Sequence, residues 1–213
     1  MKTYKVRLTP ESLTFSAVHF IVFADGTAEA MHGHDFRVAL EVEAALDAAG
    51  MYVIDFLRLE RAVRDVLREL NHKVLLPGES RAFQMTVQQK EPEHQADLHG
   101  WVSTVGKWLT EVNDYHGEPG LPEMPEVLSQ EEEFHAADDG VLRAEVEIRH
   151  QNRRWVFPEE DCVILPLENT TAELLADYIL QKILKHPVLA EKSPVSMRVE
   201  LQEAPGMVAV CEY

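Results

Sequence analysis

The chain opens with short runs in which apolar and polar residues alternate. Residues 4–8 alternate, and residues 13–23 do so in part, before a turn signal at Asp25-Gly26. A longer run follows over residues 34–46, where Phe36, Val38, Leu40 and Val42 fall two apart and line one side of a strand. Gly50 breaks it. After a short apolar stretch, Asp55 stands where a helix N-cap belongs, and Leu59, Val63, Val66, Leu67 and Leu70 repeat at three-to-four spacing. This pattern predicts a helix over residues 56–70 with one buried face, stopping near Asn71-His72, before Pro77-Gly78.

Regular alternation returns at residues 141–148 and 154–157, with Gln151-Asn152 at the turn of a hairpin. Residues 162–165 are a short apolar strand. Thr170-Thr171-Ala172-Glu173 reads as a capping box, in which a Thr hydroxyl and the Glu carboxylate each satisfy a free backbone N–H. It opens a helix with Leu174, Leu175, Tyr178, Ile179 and Ile183 inward. Strands at about 195–203 and 207–212 close the chain around Pro205-Gly206. The order is β-β-α, an interruption, a hairpin, then α-β-β. Strand runs separated by single helices predict an α+β fold, an antiparallel sheet with helices on one face.

The interruption, residues 77–140, differs in composition. It holds fourteen Asp and Glu against three Lys and Arg, which accounts for most of the chain's net charge of −17. Leu98, Trp101, Val102, Val105, Leu109 and Val112 predict one amphipathic helix there, roughly residues 96–114. The segment reads as an acidic insertion between two parts of one domain, residues 1–76 and 141–213. The overall charge argues against nucleic acid and against anionic membrane surfaces as partners. No apolar run has the length of a membrane span, and the first ten residues lack the apolar core of a signal peptide. Two cysteines without CxxC spacing, Cys162 and Cys211, exclude a disulfide scaffold and a thiolate metal site. A reducing, cytoplasmic location is expected.

Candidate chemistry centres on His32-Gly33-His34. Residues two apart on a strand point to the same side, so both imidazoles can meet one ion. His19 comes near them if residues 13–23 and 34–46 form a hairpin across Asp25-Gly26. Three His ligands leave a fourth tetrahedral position open, the pattern of a catalytic zinc site. The competing reading is a pair of polar surface histidines on a strand, which HxH spacing alone does not exclude. The remaining histidines, His94, His99, His116, His135, His150 and His186, read as solvated.

A wider pattern resembles the 6-pyruvoyltetrahydropterin synthase and 6-carboxytetrahydropterin synthase family. The resemblance rests on Phe15-Ser16-Ala17-Val18-His19, His32-Gly33-His34-Asp35-Phe36, Gly50-Met51-Tyr52-Val53-Ile54-Asp55-Phe56, Leu70-Asn71-His72, Glu168-Asn169-Thr170-Thr171-Ala172-Glu173 and Val199-Glu200-Leu201-Gln202-Glu203. These pieces occur in order and cover about residues 1–76 and 160–213. The resemblance implies the tunnelling fold: a sheet with two helices on one face, assembling into trimers whose sheets close a barrel, commonly two trimers back to back. It implies Zn²⁺ on His19, His32 and His34, and a dihydropterin substrate such as dihydroneopterin triphosphate. It implies that Glu203 grips the pterin's guanidine-like edge through two charge-assisted hydrogen bonds, and that Thr170 and Thr171 line the pterin pocket. Asp55 stays a helix cap.

The sequence also departs from that family. The position of its usual catalytic Cys is Ala28, and the Asp of its usual Asp-His pair is Asn71, leaving His72. Glu29 lies one residue from the vacant position. Some divergent members use Glu and cleave the side chain in an aldolase-like way, giving 6-hydroxymethyldihydropterin; Glu29 as general base and His72 as proton shuttle would fit that chemistry. Against Glu29 stands its register, because a one-residue shift on an extended segment turns the side chain to the other face. The leading expectation is therefore a zinc-dependent pterin lyase. A pterin-binding paralogue without lyase activity and a zinc hydrolase on the same scaffold remain the alternatives.

Overall fold

The computed structural model describes residues 2–9, 11–90, 143–190, 192 and 194–213. The chain divides into two compact units, Met1–Gln88 with Glu145–Tyr213, and Gln89–Ala144. The second unit lies almost wholly outside the described residues, and with it the amphipathic helix expected over 96–114. Among the described residues no helix is long and apolar enough to cross a membrane.

In the first unit the alternating runs become strands β1 (Tyr4–Leu8), β2 (Thr14–His19) and β3 (His32–Ala44). Both β1 and β2 pair antiparallel with β3, β1 along its later half and β2 along its first. On the other side of β3 runs β9 (Ser196–Ala204), followed by β10 (Met207–Glu212), both antiparallel. Two strands join beyond β2 in parallel: β4 (Lys73–Pro77) beside β2, and β8 (Cys162–Leu165) beside β4. The sheet is therefore mixed rather than wholly antiparallel. Residues 73–77 hide this from a sequence reading because a run of five with a terminal Pro, buried over Leu75–Leu76, has no period-2 signal.

Helix α1 (Phe56–Leu70) starts at Asp55, whose carboxylate accepts from the Arg58 N–H at 3.0 Å. Its buried residues are Leu59, Ala62, Val63, Val66, Leu67 and Leu70, the stripe read from the sequence. It ends at Asn71, whose side-chain oxygen accepts from the Ser16 N–H, while the His72 N–H donates to the Ser16 carbonyl. Here His72 takes a left-handed φ of 59°, the sharp turn that sends the chain into β4. Helix α2 (Ala172–Leu184) packs on β9 and β10. The two helices cover the face bearing Phe15, Phe36, Val38, Leu40, Val199 and Leu201. The opposite face of β1, β3 and β9 is charged and paired across strands, with Lys5 on Glu41 and Arg7 on Glu200.

Within the segment read as insertion, residues 84–90 form β5 (Gln84–Lys90), which pairs with β6 (Arg143–His150), itself paired with β7 (Arg153–Pro158). The Gln151-Asn152 turn falls where expected. This three-stranded sheet makes a second core, in which Phe20 and Leu76 meet Phe83, Val146 and Ile148.

If the Asp55 carboxylate supplies the helix cap, Asp55→Ala lowers stability by about 1 kcal/mol and Asp55→Asn leaves it near wild type. Urea denaturation followed by circular dichroism reads both; equal losses in the two variants would assign Asp55 another role.

Candidate metal centre

The β2–β3 register sets His19 directly opposite His32, and Ala17 opposite His34. His32, His34 and Phe36 alternate on β3, so the two imidazoles follow Phe36 on the helix-covered face. Glu203 arrives from β9, one residue past the Arg37–Gln202 pair, and so at the same end of β3. One nitrogen of each His and one Glu203 oxygen lie within 4.8 Å of one another. The rings of His19 and His34 both meet Phe36 edge-on, at 5.5 and 5.6 Å between centroids. Phe36 is thus an apolar floor under the cluster.

His19 is fully buried. Its Nδ1 lies 2.8 Å from the Thr170 carbonyl, an acceptor, so Nδ1 carries the proton and donates. Burial holds the His19 pKa below its ordinary value, which keeps the ring neutral. Nε2 therefore presents a lone pair. The atom 3.0 Å from it is a carboxylate oxygen of Glu203, yet no hydrogen bond satisfies Nε2. The same Glu203 oxygen stands 3.6 Å from His34 Nε2. Two electron-rich atoms facing each other, one of them on a ring sealed from water, repel unless a cation lies between them. His32 is oriented likewise, its Nδ1 on the Ala30 carbonyl at 2.8 Å, which turns Nε2 inward. Backbone carbonyls that fix the tautomer of two ligands are the outer-sphere contacts that metal-binding histidines commonly have. The donor set, rich in imidazole nitrogen with one carboxylate, fits a first-row divalent metal ion.

A cleft of about 710 Å³ adjoins the cluster, lined by Ile21, Val22, Phe23, Asn169, Thr171, Glu203, Met207 and Val208 among others. Glu203 belongs to both cleft and cluster. Thr171 lines the cleft and caps α2, its hydroxyl accepting from Leu174 N–H. This corrects the expected capping box by one residue. Thr170 is buried outside the cap, its hydroxyl donating to the Phe20 carbonyl at 2.8 Å and its own carbonyl holding His19. Asn169, not singled out by the sequence, grips Val22 through both backbone groups, at 3.3 and 2.8 Å.

The other expected residues sit apart from the four ligands. Glu29 is half-buried, its carboxylate accepting from the Ile21 N–H at 3.2 Å, two residues past His19. Ala28, at the position of the family's Cys, makes a β-bridge with Val22. His72 is exposed and lines, with His34, Ser16 and Asp35, a separate cavity of about 550 Å³. His150 is buried rather than solvated, its ring between the Ala82 and Gly26 carbonyls at 2.8 and 3.1 Å. His186 is half-buried, while His94, His99, His116 and His135 lie outside the described residues.

The fold and site define an α+β protein with a three-histidine, one-carboxylate cluster able to hold a metal ion, and comparisons with known proteins give its lineage. The family described as 6-pyruvoyl tetrahydropterin synthase matches residues 10–213. The chain belongs to that family, with a histidine cluster intact and no Cys at the usual position. It is 24% identical over 171 residues to a putative 6-carboxy-5,6,7,8-tetrahydropterin synthase of Methanocaldococcus jannaschii, covering 80% of this chain and 71% of that protein. It is 36% identical over 62 residues to a dihydroneopterin monophosphate aldolase of Pyrococcus furiosus, covering 29% of this chain and about half (51%) of that protein. The fold is shared with crystal structures of 6-pyruvoyl tetrahydropterin synthase from Plasmodium vivax, at TM-score 0.67 and 22% identity over 100% of this chain and 99% of that one. The Plasmodium falciparum protein gives TM-score 0.66 and 20% identity, again over 100% and 99%.

Purified chain should bind close to one equivalent of divalent metal, measured by inductively coupled plasma mass spectrometry. Chelation should lower its melting temperature, while His19→Ala should neither retain metal nor respond to chelator. A chelator response as large in His19→Ala as in wild type would place the ion elsewhere. Burial pushes the Cys162 thiol up to about 11 and raises Cys211 as well. Both are therefore mostly protonated at pH 8, and iodoacetamide should alkylate them more slowly than a free thiol; the Cys162 rate should climb about tenfold per pH unit and level off only near pH 11.

Proposed function

We propose that the chain is a zinc-dependent lyase acting on the side chain of a dihydropterin, with aldolase-type cleavage to 6-hydroxymethyldihydropterin. The observation that carries this reading is the lone pair of buried His19 facing the Glu203 carboxylate at the wall of a cleft. His19, His32 and His34 would hold the ion. Bound there, Zn²⁺ supplies Lewis-acid polarisation that lowers the pKa of side-chain hydroxyls. Glu203 turns from the ligand cluster to the two N–H groups on the pterin's pyrimidine edge as substrate enters, and Thr171 lines the same cleft. Thr170 contributes through His19, which its carbonyl orients.

Glu29 takes the proton of the hydroxyl on the second side-chain carbon. The bond between the first and second carbons then breaks, its electron pair passing into the adjacent ring C=N. The first carbon regains a proton, a return we assign to His72. The products are 6-hydroxymethyldihydropterin and a two-carbon aldehyde. Relatives support the aldolase chemistry and, separately, a catalytic carboxylate. One is named a dihydroneopterin monophosphate aldolase. Two Plasmodium vivax structures carry substitutions of a glutamate described as a catalytic residue.

We also propose that copies of the chain assemble through the sheet edges into a trimer-based barrel. The edge strands β10 and β8 carry exposed Met207, Val208, Val210 and Ile164, and apolar open edges call for a partner. Residues 77–140 are proposed as an inserted element of the domain formed by 1–76 and 141–213.

Zinc-loaded chain incubated with dihydroneopterin triphosphate, or its monophosphate, should release 6-hydroxymethyldihydropterin, read by liquid chromatography with fluorescence. Glu29→Ala should lower kcat by about 10²–10⁴-fold, the usual contribution of a general base. Glu203→Ala should weaken pterin binding. Tight pterin binding with no product in the wild type would leave a binding protein; no pterin binding at all would point to a zinc hydrolase.

A further inference from the structure

Between the ligands His19 and His32 the chain makes a short excursion that carries Glu29. It has little structure of its own. One β-bridge joins Val22 to Ala28, and the amides of Phe23, Gly26 and Glu29 donate to Thr27, Phe23 and Ile21 carbonyls at 2.8, 2.9 and 3.0 Å. An isolated two-stranded ribbon of this size does not hold its shape in water. Its stem is anchored by packing: Trp155 of β7 stacks on Phe20 at 5.6 Å between ring centroids. Apolar packing fixes depth, but it is non-directional and does not fix the rotation of a peptide plane.

Directional bonds come from Asn169, which holds both backbone groups of Val22, and, over the tip and the Glu29 side, from the β6–β7 hairpin, where His150 Nε2 also lies 3.1 Å from the Gly26 carbonyl. The Gln151 side-chain amide donates to the Gly26 carbonyl at 2.9 Å. Arg153 Nη1 lies 2.9 Å from the Glu29 carbonyl and 3.2 Å from that of Ala28. These are consecutive carbonyls, so a single nitrogen of a permanently charged guanidinium bridges the peptides on either side of the Glu29 Cα. The direction of the Glu29 Cα–Cβ bond follows from those planes. We propose that Arg153 is the positioning residue that aims Glu29, a role that rests on the reading of Glu29 as the general base. Arg153 touches neither the ligand cluster nor the cleft lining, so its influence passes through the backbone. A Lys ammonium, on a flexible stem and without the planar headgroup, holds the two carbonyls less firmly.

The test uses the full, zinc-loaded chain with Arg153→Ala and Arg153→Lys. With dihydroneopterin monophosphate, Arg153→Ala should lose about 10–100-fold in kcat, the scale of an ångström-sized misplacement. KM and zinc content should be unchanged, and Arg153→Lys should recover part of the loss. In a Glu29→Ala background, adding Arg153→Ala should cost nothing further. Hydrogen–deuterium exchange gives a readout independent of turnover: the Phe23, Gly26 and Glu29 amides should exchange at least ~10-fold faster in Arg153→Ala, and α1 at its wild-type rate. If Arg153→Ala fails to fold, Arg153→Gln carries the same comparison. Unchanged exchange overturns the proposal, as does a kcat loss that persists in the Glu29→Ala background or comes with loss of zinc. A wild type that cleaves no dihydropterin sinks the lyase reading instead, and exchange alone then decides whether Arg153 holds the segment.

Discussion

A neutral imidazole sealed from water, with its Nδ1–H fixed to the Thr170 carbonyl, has to direct a lone pair somewhere. In this protein it directs it at a carboxylate oxygen 3.0 Å away. The arrangement is unfavourable as it stands and becomes favourable once a cation is shared by His19, His32, His34 and Glu203. Other features of the fold converge on this point. The β2–β3 register faces His19 with His32, the β3–β9 ladder brings Glu203, and the entry to α2 supplies the carbonyl that selects the tautomer. Phe36 shields the cluster from below, so little water competes for the ion from that side.

The parts of this that are local in sequence are legible in it. Same-side histidines follow from strand period, and the α1 stripe and its Asp55 cap follow from helix period. What joins distant segments is not legible. Thr170 looks like the first residue of a capping box, but a buried hydroxyl bonded to Phe20 and a carbonyl bonded to His19 leave the cap to Thr171. His150 looks like a strand-end surface residue, yet Ala82 and Gly26, remote in sequence, enclose it. Strand β4 has no alternation to announce it, whereas the run through β5 does alternate, at Phe83, Met85 and Val87, but lies inside the segment read as an insertion; the partners of both lie far along the chain. Arg153 follows the same rule: nothing near it in sequence mentions Glu29.

In the proposed reading, where the Glu29 carboxylate acts in the absence of the family's thiol, the surroundings have a different task. A thiol near a metal ion and a base becomes a thiolate in place. A carboxylate is already ionised and needs an environment that makes it basic and an orientation that makes it useful. Asn71 in place of the family's Asp is consistent with this difference, since its side chain serves the backbone of β2.

The origin of the fourth ligand has a consequence for how the protein comes to exist. Three imidazoles stand on one hairpin near the start of the chain, whereas Thr170 and Glu203 come from its last quarter. During synthesis the hairpin emerges long before them and can meet metal only through rings whose tautomers are not yet selected. The set of four donors is complete only when β9 pairs with β3, a contact between regions some 160 residues apart and therefore slow to form. An ion held by all four donors would tie its affinity to completion of the sheet. A chain cut before β9 keeps its three histidines but loses the carboxylate that closes the set.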